Sequence, residues 1–193
     1  MAELDRLVDL AKTGDLAGIR AAVSSDANLA SGRLATGETP LMAALYRGHM
    51  HVVTALIELG VPLDIFAAAA TGRLAELRRE MRVPGGLSAF AYDGWTALHL
   101  AAFFGRLDAA RALIDAGADV SAVSRNGMRN TPLHAAAAGR HGGIALLLLE
   151  HGADGLVPDA GDYSARAIAE QNGLADVVAA IDARLREANE RGE

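Results

Sequence analysis

The sequence predicts an all-α solenoid of six stacked helix–turn–helix units. Three observations carry that prediction: similar segments recur at a nearly constant interval, glycines recur in one turn slot, and the core must be built from small side chains. Of the 193 residues 51% are hydrophobic, but only 4% are aromatic: one Trp, three Tyr and four Phe. Alanine and leucine must therefore fill the interior, and small side chains suit thin helices packed closely together. A single helix pair cannot bury its apolar face, whereas a stack of pairs can.

Taken in order, residues 2 to 31 read as two helices around Gly14, with Glu3, Asp5, Arg6, Asp9 and Lys12 on a polar outer side suited to a solenoid end. Thr39-Pro40 opens the second unit: Thr serves as N-cap and Pro occupies the first helical position, where its missing N–H costs nothing. Gly48 ends that first helix. Val52, Val53, Leu56 and Ile57 carry the apolar stripe of the next helix, and Gly60 stops it. Ile65 to Arg82 holds two further helices around Gly72 but lacks the Thr-Pro opening. In the fourth unit Thr96, Gly105, the stripe Ala109, Ala110, Leu113 and Ile114, and the stop at Gly117 repeat the plan. Thr131-Pro132, Arg140 in the turn slot and Gly152 make the fifth; Ser164 and Gly173 make the sixth.

The opening hydroxyls Thr39, Thr96, Thr131 and Ser164 are spaced by 57, 35 and 33 residues, so one interval hides a unit. The turn slots Gly14, Gly48, Gly72, Gly105, Arg140 and Gly173 are spaced by 34, 24, 33, 35 and 33, which sets the register. The expected units are 1–33, 34–63, 64–86, 87–121, 122–155 and 156–187. They form one domain with 188–193 as a frayed tail.

Thr131-Pro132-Leu133-His134 with Ala135-Ala136, the run Thr96 to Ala102, and Gly117-Ala118-Asp119-Val120 resemble the ankyrin-repeat family over essentially residues 1 to 185. The Gly-Ala-Asp tripeptide recurs at Gly152 to Asp154. The resemblance implies an ankyrin-repeat solenoid with a short β-turn finger before each unit. It also implies that His99 and His134 bridge backbone groups of neighbouring loops. Against that pattern Gly60-Val61-Pro62-Leu63-Asp64 runs almost directly into the third unit, so the finger preceding it is missing. Arg125 to Asn130 makes the fifth finger about two residues longer, and Asp162 takes the glycine slot of the sixth.

The resemblance further implies that finger tips and first-helix ends are free to vary and line one concave face. Six of the eight aromatics fall in those slots: Tyr46, Tyr92, Trp95, Phe103, Phe104 and Tyr163. The expected partner-binding residues are Tyr46, Arg47, Tyr92, Asp93, Trp95, Phe103, Phe104, Arg125, Met128 and Arg129, with Trp95 foremost. Aromatics rimmed by arginine are the usual composition of binding hot spots. The competing reading has Phe103 and Phe104 filling space opened by the shortened third unit. Arg33, Arg47, Arg125, Arg129 and Arg140 fall at fingers or first-helix ends, while Glu58, Glu76, Glu80, Asp108, Asp115 and Glu150 fall on or beside second helices. A partner with apolar anchors and some acidic residues follows from that distribution.

Enzymatic chemistry is not signalled. Without cysteine there is no thiol nucleophile, thiolate metal site or disulfide framework. The histidines lack zinc-ligand spacing, no serine sits in a G-x-S-x-G turn, and no phosphate-binding loop occurs. No cofactor or metal is expected. The net charge of −6 argues against duplex nucleic acid, and no apolar run is long enough to span a membrane. The expected function is a non-enzymatic protein–protein interaction module, binding a protein or peptide by a preformed face. The alternatives are an inhibitory or regulatory adaptor of an enzyme, or a homo-oligomeric structural protein; a monomer is expected over a homodimer. No signal peptide is visible, so a cytoplasmic setting is expected. Lys12 stands as the single lysine against seventeen arginines, which with the alanine content suggests a GC-rich, bacterial source.

Overall fold

The computed structural model describes residues 2–191, and among them every regular element is helical. Twelve α-helices follow in chain order: α1 (Ala2–Thr13), α2 (Leu16–Ser25), α3 (Pro40–Tyr46), α4 (Met50–Glu58), α5 (Ile65–Thr71), α6 (Leu74–Glu80), α7 (Ala97–Phe103), α8 (Leu107–Asp115), α9 (Pro132–Ala138), α10 (Gly142–Glu150), α11 (Ala165–Gln171) and α12 (Ala175–Arg191). Among the described residues extended pairing is limited to an isolated antiparallel bridge between Pro158 and Ser164. The chain divides into two compact units, one ending at Leu63 and one beginning at Asp64. The division falls on the connection where no finger is expected.

In the first unit α1 packs on α2 and α3 on α4, while α1 also packs on α3 and α2 on α4. The second unit repeats this with four pairs. Odd-numbered helices stack α5 on α7, α7 on α9 and α9 on α11; even-numbered ones stack α6 on α8, α8 on α10 and α10 on α12. Two helical layers result within each unit, as in a solenoid. The interior is alanine and leucine: Ala68, Ala69, Leu98, Leu100, Ala101, Ala102, Leu133, Ala135 and Ala136 are all at most 1% exposed.

Local chemistry sets each helix. Thr39, Asp64, Thr96 and Ser164 accept backbone N–H bonds at the openings of α3, α5, α7 and α11. Asp64 thus replaces the hydroxyl cap in the third pair. All six turn slots are left-handed, with φ of 78, 75, 76, 71 and 72° at Gly14, Gly48, Gly72, Gly105 and Gly173 and 63° at Arg140. The register of the turn glycines is therefore a backbone property, and Arg140 holds the same conformation without glycine's freedom.

Four hairpin fingers precede α3, α7, α9 and α11, closed by N–H···O bonds from Leu34 to Glu38 (2.9 Å), Ala91 to Trp95 (2.7 Å), Ser124 to Asn130 (2.8 Å) and Asp159 to Tyr163 (2.9 Å). The third of these loops is two residues longer than the others, and Arg129 at its tip has φ 50°. None precedes α5, where the chain passes from Leu63 into the Asp64 cap.

Ala188 to Arg191 continue α12, and the remaining tail residues 192–193 lie outside the described ones. Arg166 on α11 clamps Asp182 on α12 with Nε to Oδ1 at 2.6 Å and Nη2 to Oδ2 at 2.9 Å, so part of the polar end is a bidentate ion pair. That pairing holds the Asp182 carboxyl below its ordinary range.

Candidate protein-binding face

The finger tips of the second unit interlock through their backbones. Arg125 N–H donates to Gly94 O at 2.8 Å, Asn126 Nδ2 to Asp93 O at 2.9 Å, and Ala160 N–H to Met128 O at 2.8 Å. Gly94 has φ 82°, and a Cβ there would lie 2.6 Å from Asn126 N, so close approach as well as conformation requires glycine.

Beneath the tips lies a buried polar ladder. His99 Nε2 meets Asn130 O at 3.0 Å, and its Nδ1 receives Thr96 N–H at 3.3 Å. A carbonyl only accepts, so Nε2 carries the proton and Nδ1 is the acceptor. His134 repeats the arrangement with Tyr163 O at 3.1 Å and Thr131 N–H at 3.2 Å. Burial pushes the His99 pKa down to about 4 and lowers that of His134. Both histidines join consecutive loops and are closed to solvent. His49 and His51 tie α4 back to the first pair, each placing Nε2 against a carbonyl, Lys12 O and Gly14 O.

Trp95 belongs to this ladder, which corrects the expectation that it leads an exposed patch. It is 8% exposed, its indole N–H donates to Asn130 Oδ1 at 3.1 Å, and its ring stacks on His99 at 5.9 Å. The ring can bury because Asn130, itself 4% exposed, satisfies its single donor. Asn130 accepts from both Trp95 and His99 and donates its own N–H to Ser124 Oγ. Its role is missed by sequence reasoning, although it occupies the register position of Trp95 in the next repeat.

Phe103 and Phe104 divide between the two readings. Both are half-buried; Phe103 meets Trp95 edge-on at 5.2 Å and Phe104 meets Phe103 at 5.1 Å. A continuous aromatic run thus climbs from the buried indole to the surface at the end of α7. Its neighbours are small. Ala70 and Thr71 end α5, where Arg106 Nε donates to Ala70 O, and Ala138 and Gly139 end α9, where Gly139 abuts the Phe103 carbonyl.

Two other expected contact residues are turn builders. Asp93 Oδ1 accepts Trp95 N–H at 3.1 Å, and the Arg125 guanidinium lies 3.9 Å over the Phe90 ring, at a cleft of about 330 Å³ that Phe90 and Val123 also line. Arg125 is therefore directed to Phe90 rather than to the rim of a Trp95 patch. Tyr92 (36% exposed), Met128 (56%) and Arg129 are at the surface of their fingers. In the first unit Tyr46 and Arg47 are exposed at the end of α3.

A family model described as ankyrin repeats (3 copies) matches residues 7–124 and 65–159. The chain belongs to the ankyrin-repeat family. Among relatives, 63 residues are 49% identical to the Neurogenic locus Notch protein of Drosophila melanogaster, covering 33% of this chain and 2% of that one. Rabankyrin-5 of Homo sapiens matches 61 residues at 43% identity, 32% of this chain and 5% of its own. Ankyrin repeat and SOCS box protein 16 of Homo sapiens matches 56 residues at 48%, 29% of this chain and 12% of its own. This ankyrin-repeat chain thus spans a small fraction of the length of the curated relatives it matches. Ankyrin repeats indicate a protein–protein interaction module, and the family's members are generally non-enzymatic. Among the described residues no group of three or more His, Asp or Glu is placed to hold a metal ion, and no helix is long and apolar enough to cross a membrane.

Proposed function

We propose that the chain is a non-enzymatic module that binds a protein or peptide along the finger tips and first-helix ends of its second unit. Phe103 and Phe104 serve as the apolar anchors, with Tyr92, Met128 and Arg129 beside them. Tyr46 and Arg47 offer the same kind of contact in the first unit. The observation that carries this reading is the aromatic run. Two half-buried phenylalanines continue edge-on from the buried indole of Trp95 toward the end of α7, between the small residues Ala70 and Thr71 that end α5 and Ala138 and Gly139 that end α9. Rigid aromatics lose little side-chain entropy on contact, and a floor locked by hydrogen bonds lowers the ordering cost of binding. Trp95, Asp93 and Arg125 then support the surface instead of touching the partner. A cytoplasmic, monomeric protein fits this role.

Photo-crosslinking tests the reading. With benzoylphenylalanine at position 104 in the native host, a cross-linked partner is expected; with the same group at Arg111, an exposed residue of α8, none is expected. Equal cross-linking at both sites, or none at 104, rejects this face. A product of twice the chain's 20.0 kDa would instead reveal self-association.

A further inference from the structure

Within the second unit, α9 is bracketed by two arginines held in backbone conformations that suit glycine. Arg129 at the finger tip before it has φ 50°, and Arg140 in the turn after it has φ 63°. The equivalent slots of the preceding pair are Gly94 and Gly105. Long side chains are disfavoured in the left-handed region, so an intramolecular benefit would ordinarily be expected for keeping them. None is present. Both residues are exposed, and neither guanidinium forms a hydrogen bond or ion pair with another described residue. Arg140 gains from the C-terminal end of the α9 dipole, but Arg129, before the N-terminus, gains nothing from it. Between them α9 exposes Ala138 alone. Seven residues at about 1.5 Å rise set the two arginines at either end of a track roughly 10 Å long. Gly139, at its far end, abuts the Phe103 carbonyl.

We propose that Arg129 and Arg140 select an acidic peptide segment laid along α9, with carboxylates at its two ends and an apolar residue turned toward Phe103. The inference rests on the binding face proposed above and adds the chemistry of its partner. Guanidinium pairs with carboxylate in a bidentate, directional way. A protein segment is favoured over a nucleic acid because two cations flank the alanine track, enough for two carboxylates but few for a polyphosphate backbone on a chain of net charge −6.

The test is selection of a random 12-residue peptide display library on the intact chain, on R129G/R140G and on F103A/F104A. Wild-type selections should be enriched in Asp and Glu flanking an aromatic or aliphatic residue. The best such peptide should bind R129G/R140G at least tenfold more weakly, while that variant melts roughly 2–4 °C higher because glycine relieves both slots. R129K/R140K should retain part of the affinity. Wild-type peptides without acidic enrichment that are nevertheless lost in F103A/F104A would overturn this inference and leave the face intact. Peptides that bind all three proteins equally would overturn the face itself. Absence of acidic enrichment together with Arg-dependent binding of a labelled single-stranded oligonucleotide would replace the acidic peptide with nucleic acid.

Discussion

The Trp95 indole N–H donates to Asn130 Oδ1 inside a ladder that includes His99, so the residue's chief role is to join two fingers. W95F keeps most of the buried ring but strands the Asn130 acceptor. It should cost about 1–3 kcal/mol of stability in urea denaturation. F104A removes a ring that is only partly buried and should cost less than W95F, while acting mainly on partner binding. Equal stability losses for the two would mean that Phe104 is also structural. The sequence places Trp95 and Phe104 in positions free to vary, and nothing in one-dimensional spacing separates them. The distinction depends on whether a partner for the indole N–H lies across the stack, and that partner is 35 residues away.

Among the elements, the finger row and the third pair carry the chain's individuality. The register of turn slots is legible from glycine spacing because each slot needs a left-handed backbone, and Arg140 falls in the same conformation by position alone. The missing finger before α5 is legible as a shortened connection, but the substitute cap is visible only in the Asp64 Oδ1 contact with Ala67 N–H at 2.8 Å. D64A should cost about 1 kcal/mol, read as a lower denaturation midpoint. G94A attacks the fingers instead, combining φ 82° with overlap on Asn126 N. It should cost at least about 1–2 kcal/mol, and the Arg125 amide, bonded to Gly94 O, should lose hydrogen-exchange protection before the α7 core does.

For the molecule as a whole, the two bridging histidines couple stability to pH. The folded pKa of His99 lies at about 4, below its ordinary 6.5, because burial disfavours the imidazolium and Nδ1 already accepts from Thr96 N–H. A depressed histidine binds protons more readily when unfolded. Its contribution is therefore fully present above pH 6.5 and is lost as pH falls from 6.5 toward 4. The loss from His99 alone reaches about 3 kcal/mol near pH 4, and His134 adds in the same direction. Urea midpoints at pH 7.5 and 4.5 should differ accordingly, and H99Q, which cannot titrate, should flatten the dependence. An unchanged slope in H99Q would place the acid sensitivity elsewhere.

The sequence by itself determined the helical class, the repeat register, the opening hydroxyls Thr39, Thr96, Thr131 and Ser164, and the family. Each depends on contacts within about four residues or on a periodicity along the chain. The resemblance to the family also implied that His99 and His134 bridge neighbouring loops, as they do. Tertiary structure decided which aromatic is floor and which is surface, sent Arg125 to Phe90, made Asn130 the hub of the ladder, and gave the Arg129 and Arg140 guanidiniums no hydrogen-bond or ion-pair partner among the described residues. These depend on atoms brought together across neighbouring repeats. The repeat pattern says which positions face the same way, but whether a side chain there meets a donor, a ring or open solvent depends on the neighbour stacked against it.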